Sequence, residues 1–138
     1  MLICIDAGHC LSTPGKRCLK SIDLNETREW VLNSRVANKL EAILAGYSCQ
    51  TMRVDDVTGQ RAVTLSQRVA AANRARADVY LSIHHNAGIN GGSGGGIVAY
   101  VAPSHQKQSE VVRDAVYRYT VVATGLRGNR AQPLAEQS

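Results

Sequence analysis

Four short apolar runs, Leu2 to Ile5, Tyr47 to Val54, Val79 to Ile83 and Ile97 to Val101, alternate with three segments of helical spacing. No other feature of the chain restricts its fold so much. A short, continuous apolar run bounded by turn residues suits a strand buried on both faces. Strands that alternate with helices are joined by crossover connections, which make their sheet parallel. The expected fold is therefore α/β, with a largely parallel or mixed central sheet flanked by helices.

The first helical segment carries Leu32, Val36, Leu40 and Ile43 on one face and ends at Gly46, which predicts a helix over about residues 25–45 with Asp23 as its cap. Leu65, Val69 and Ala72 mark a second helix that ends before Asp78. Val112, Ala115, Val116, Tyr119, Val122 and Ala123 give a third, stopped by Gly125. Leu11 to Ile22 reads as a loop, and the glycine-rich stretch Gly88 to Gly96 as a mobile connection. With 138 residues, 44% of them hydrophobic, the whole chain (1–138) fits one domain. Phe is absent and aromatic residues make up 4%, so the core rests on Val, Ile, Leu and Ala.

The formal net charge of +5 favours an anionic partner: nucleic acid, a membrane surface or an anionic wall polymer. The basic residues are scattered from Lys16 to Arg130 without a dense run or an interleaved aromatic stripe, so a nucleic-acid partner is not expected. No apolar run approaches the roughly 20 residues of a membrane span. Met1-Leu2-Ile3 leads directly into a strand-like run, and a signal peptide is not expected. Cys4, Cys10, Cys18 and Cys49 lack CxxC spacing and read as free thiols.

His9 and His84 each stand just past the carboxyl end of an expected strand. Ligands of α/β sheets gather at that edge. Two imidazoles delivered there can share a metal, and a hydrolytic zinc site takes three protein ligands and leaves a fourth position to water. Glu26, expected in the first turn of the first helix, is the candidate third ligand. Asp23-x-x-Glu26 also has the pattern of a capping box, in which Glu26 bonds the backbone of the cap. Spacing alone leaves both roles open.

Several motifs resemble the type 3 family of zinc-dependent N-acetylmuramoyl-L-alanine amidases. "ICIDAGHC" is similar to the family's opening strand and first ligand histidine, and "NETREWVLNSRVANKL" to its helix headed by a ligand glutamate. "MRVDD" is similar to its second strand, and "SQRVAAANRARADVYLSIHHNA" to its arginine-to-asparagine helix and serine-isoleucine-histidine strand. The resemblance implies that His9, Glu26 and His84 bind Zn2+ and that Asn86 orients the ligand shell or contacts substrate. His85 stands where the family varies. Arg53 and Arg68 fit the family pattern, but an ion pair explains them equally well, and they stay outside the expected site.

The implied activity is hydrolysis of the amide between N-acetylmuramic acid and L-alanine in peptidoglycan, in wall degradation by a phage endolysin or a bacterial autolysin. Its place of action is the cell wall. The family's general-base glutamate belongs to a later strand, beyond Ser138 in this numbering, and Glu136 in its polar surroundings is no substitute. A C-terminally truncated domain that binds zinc and cleaves poorly is therefore expected. The rival reading is a catalytically silent, zinc-containing wall-binding fragment.

Overall fold

The computed structural model describes residues 1–85, 96–104, 107–126 and 128. The chain divides into two compact units, Met1–His85 and Asn86–Ser138. In the first, β1 (Leu2–Ala7), α1 (Glu29–Leu44), β2 (Gln50–Arg53), α2 (Leu65–Arg74) and β3 (Val79–Ile83) follow in chain order. The three strands form one sheet in the order β2-β1-β3, and β1 pairs parallel with both neighbours.

Because β1 is central, both of its faces are covered, and alternate residues serve different helices. Ile5 and Ala7 join Trp30 and Ala37 of α1, with Ile3, Leu40, Leu44 and Ile83 packed around them. Cys4 turns the other way and meets Val54 and Ala72 of α2. Both Cys4 and Ile5 are fully buried. All four cysteines are free thiols, as their spacing suggested.

Helix α1 begins later than the sequence pattern predicts, and with a different buried face. Arg17 and Arg28 form an antiparallel bridge, Cys18 N–H donates to the Thr27 carbonyl, and Glu29 N–H donates to the Lys16 carbonyl. These pairings hold residues 27 and 28 extended, so the helix cannot start before Glu29. Asp23 closes a turn within the preceding loop instead, accepting from the N–H groups of Asn25 and Thr27. Arg28 occupies the N-cap position without a side-chain cap bond. The buried residues of α1 are Trp30, Asn33, Ser34 and Ala37, whereas Val36 and Ile43 are exposed. Three of the four buried residues are polar or small, and their low hydrophobicity conceals that face in the sequence.

Helix α2 starts where Thr64 and Gln67 form a reciprocal capping box. In the second unit, α3 (Lys107–Thr124) ends at Gly125 with φ +65°, the left-handed stop expected of glycine. Val111, Tyr119 and Val122 are exposed on α3. The run Ile97 to Val101 does not form a strand: Ile97 makes one isolated parallel bridge, to Gly128. An apolar, β-branched run meets the local requirements of a strand, but the ladder also requires a neighbour. Gly88 to Gly95 of the glycine-rich stretch lie outside the described residues.

Candidate metal centre at the carboxyl edge of the sheet

Register explains why two distant histidines meet. Ala7 of β1 lies opposite Ile83 of β3, so both strands end at the same level. Gly8 N–H donates to the Ile83 carbonyl, extending the pairing by one step before the chains diverge. His9 and His84 emerge side by side, their rings edge to face with centroids 4.8 Å apart.

The third residue of the cluster is Glu29, the first residue of α1. Its Oε1 lies 3.0 Å from His84 Nδ1 and its Oε2 lies 3.4 Å from His9 Nε2. One potential ligand atom from each of the three residues lies within 4.8 Å of the others. Glu26, the candidate from the sequence, is elsewhere. It sits in the loop before the helix at φ +48°, and its carboxylate accepts from Arg17 Nε at 2.7 Å. The difference in position follows from the helix start: with Arg28 extended at the N-cap, the carboxylate at the helix head is three positions later. Glu29 could have been found from its spacing to Asn33, Ala37, Leu40 and Leu44, which continues one helical face toward the sheet edge. Asn86 lies outside the described residues.

His9 occupies the left-handed region at φ +68°, an uncommon conformation for a residue other than glycine. The local backbone is held in place by buried groups. Arg68, 5% exposed, donates through Nη1 to the Ala7 carbonyl and through Nη2 to the His9 carbonyl, each at 2.9 Å. Its Nη1 also pairs with Asp6. Asp6 accepts in addition from the hydroxyls of Tyr80 and Ser82, both at 2.8 Å. Burial, reinforced by the Asp6 carboxylate, holds the Tyr80 hydroxyl well above its ordinary pKa, so it remains a donor. Arg53 likewise forms an ion pair, with Asp55.

The donor set fits a divalent ion of the zinc type, with two imidazoles and one carboxylate converging from three elements. Gly8 adds a second sign of fit, because a Cβ there would overlap the ring of His84. Burial lowers the pKa of His9, with Glu29 opposing the shift, and burial also lowers that of His85. The neutral imidazole is the form that binds metal. His84 keeps 48% of its side chain exposed, so the centre opens to solvent. Beside it lies a cleft of ≈ 370 Å³ whose lining includes Cys10, Thr13, Val63, Leu65 and Arg68.

A parallel α/β sheet with a His/Glu/His cluster at its carboxyl edge defines a class of candidate metallohydrolases. The chain belongs to the N-acetylmuramoyl-L-alanine amidase family Amidase_3, whose family model matches residues 3–135. Among solved structures, the catalytic domain of CwlV, an N-acetylmuramoyl-L-alanine amidase from Bacillus (Paenibacillus) polymyxa var. colistinus, is similar at 25% identity and a TM-score of 0.77, over 93% of this chain. An N-acetylmuramoyl-L-alanine amidase from Clostridium difficile 630 is similar at 26% identity and a TM-score of 0.80, again over 93% of this chain. AmiC2 of Nostoc punctiforme shares the fold at 23% identity, with a TM-score of 0.72 over 94% of this chain. In each case the chain spans 66% of the length of the solved structure. No curated protein matches the chain.

Proposed function

We propose that the chain is part of the catalytic domain of a zinc-dependent N-acetylmuramoyl-L-alanine amidase, an enzyme that hydrolyses the amide joining the lactyl group of N-acetylmuramic acid to L-alanine. The observation that carries this reading is the convergence of His9, Glu29 and His84 at one sheet edge in a chain of this family. These three residues are the proposed ligands, and Glu29 replaces Glu26 in the set expected from the sequence. Zinc bound there would polarise the scissile carbonyl and lower the pKa of bound water from 15.7 to roughly 7.

The chain's own residues prepare the place for that chemistry. Arg68 and the Asp6 cluster fix the carbonyls on either side of Gly8, and so the direction in which His9 leaves β1. The exposed His84 side faces incoming substrate, and the adjoining cleft offers Thr13 as a polar contact and Val63 and Leu65 as apolar ones. Asn86, next in sequence after His85, is proposed to orient the ligands or contact substrate. The site of action is the cell wall, whose anionic polymers suit a chain of net charge +5, in an autolysin or a phage endolysin. Among the described residues no helix is long and apolar enough to cross a membrane.

Muropeptide analysis of digested walls tests the assignment. Amidase action releases free L-alanine amino termini and no new reducing sugar ends. Reducing ends would indicate a glycosidase, and a wall-binding fragment would release neither product.

A further inference from the structure

Asn33 is fully buried in α1, one helical turn after Glu29. A buried amide needs partners for both of its ends, and this one finds them just past the ends of two different strands. Its Nδ2 donates to the Gly8 carbonyl at 3.0 Å. A carbonyl can only accept, which orients the amide and turns Oδ1 toward His85 Nδ1 at 2.8 Å. His85 therefore carries its hydrogen on Nδ1, and in the neutral ring Nε2 is an acceptor. The His85 N–H also donates to Glu29 Oε1 at 3.3 Å.

Gly8 immediately precedes His9, and His85 immediately follows His84. We propose that Asn33 is a positioning residue for the His9–Glu29–His84 centre: one side chain joins the ends of β1 and β3 to the helix turn that presents Glu29, and holds His85 in its Nδ1–H tautomer. This inference rests on the metal reading of the centre. Among the described residues, the Asn33 side chain hydrogen-bonds to Gly8 and His85 and to none of the three donor side chains. It acts through Gly8 and His85, keeping the two strand ends at one separation and Glu29 above them. Ala37, the next buried residue along the same face, packs against the sheet with no polar partner to offer. Packing alone would not require an amide at position 33.

The test uses the full chain with zinc alone, measuring affinity by chelator competition and metal-free stability by melting. Asn33→Asp keeps the size of the side chain and an acceptor for His85, but loses the donor to Gly8. His85→Ala cuts the contact on the β3 side at an exposed position. Both should retain one zinc per chain at saturation and bind it more weakly, by about 10- to 100-fold for Asn33→Asp and by a smaller factor for His85→Ala. With cobalt in place of zinc, both variants should show a changed visible spectrum. Ala37→Gly is the control, and should lower the melting temperature while leaving affinity unchanged. Folded Asn33→Asp and His85→Ala chains that bind zinc within twofold of the parent would overturn the proposal. If Asn33→Asp does not fold, His85→Ala decides alone. A parent chain that binds no zinc would instead refute the metal reading.

Discussion

The Cβ that Gly8 lacks would clash with the imidazole ring of His84. The last residue before one proposed ligand is thus shaped by the ring of another, and the close approach of β1 to β3 depends on a missing side chain.

Gly8→Ala should therefore push the His84 ring out of the cluster. His84 is partly exposed and can swing into solvent, so the metal-free fold should change little while zinc affinity falls at least tenfold, the scale on which disturbed ligand orientation is felt. Chelator competition on parent and variant measures this. Equal affinities would show that the ring has another way to stay in place.

Glu29 and Glu26 make opposite predictions. Glu29→Ala should abolish stoichiometric zinc binding, whereas Glu26→Ala should bind zinc as the parent does and lose at most about 1 kcal/mol of stability, the usual ceiling for an exposed ion pair such as Arg17–Glu26. Elemental analysis of the purified chains decides between them. Zinc retained in Glu29→Ala and lost in Glu26→Ala would restore the assignment made from the sequence.

Metal removal should destabilise the first unit. With zinc at about 100 times its dissociation constant, and no binding to the unfolded chain, the stabilisation is roughly 2.7 kcal/mol. Melting with and without chelator should show that difference in the parent chain and its absence in His84→Ala. Trp30, the only tryptophan, is the residue after Glu29 and gives a fluorescence signal close to the site.

Arg68→Met removes one partner of a buried ion pair and leaves Asp6 with its two hydroxyl donors alone. Breaking such a pair typically costs about 3–5 kcal/mol. Urea unfolding should show a loss on that scale, and zinc affinity should fall with it because the Ala7 and His9 carbonyls lose their donors. A loss below about 1 kcal/mol, on the scale of an exposed pair, would mean that water replaces the guanidinium.

Gly59 stands at φ +69°, and a Cβ there would meet the Trp30 ring at 2.7 Å. Gly59→Ala combines an unfavourable backbone conformation with displacement of a core side chain, and should cost about 1–3 kcal/mol. The same urea titration, followed by Trp30 fluorescence, should show both the loss and a shifted native emission. An unaltered native spectrum would mean that the loop moves and the indole does not.

The alternation of apolar runs with helical segments determined the class of fold, because strand and helix periodicities are local properties of the chain. It also placed His9 and His84 at one edge, since strands that run parallel end on the same side. The family motifs pointed to the same two histidines. Two things were decided only in three dimensions. The starting point of α1 depends on the bridge between Arg17 and Arg28, a pairing with no periodicity to mark it, and with that start it is Glu29 and not Glu26 that lies beside the two histidines. The buried face of α1 depends on which side the tertiary structure turns to the sheet, where Asn33 finds polar partners and Ser34 and Ala37 are covered while Val36 and Ile43 stay exposed. Hydrophobicity measures a residue's transfer from water; it does not encode the distance to a neighbouring surface or the polar partner that a buried amide will find there.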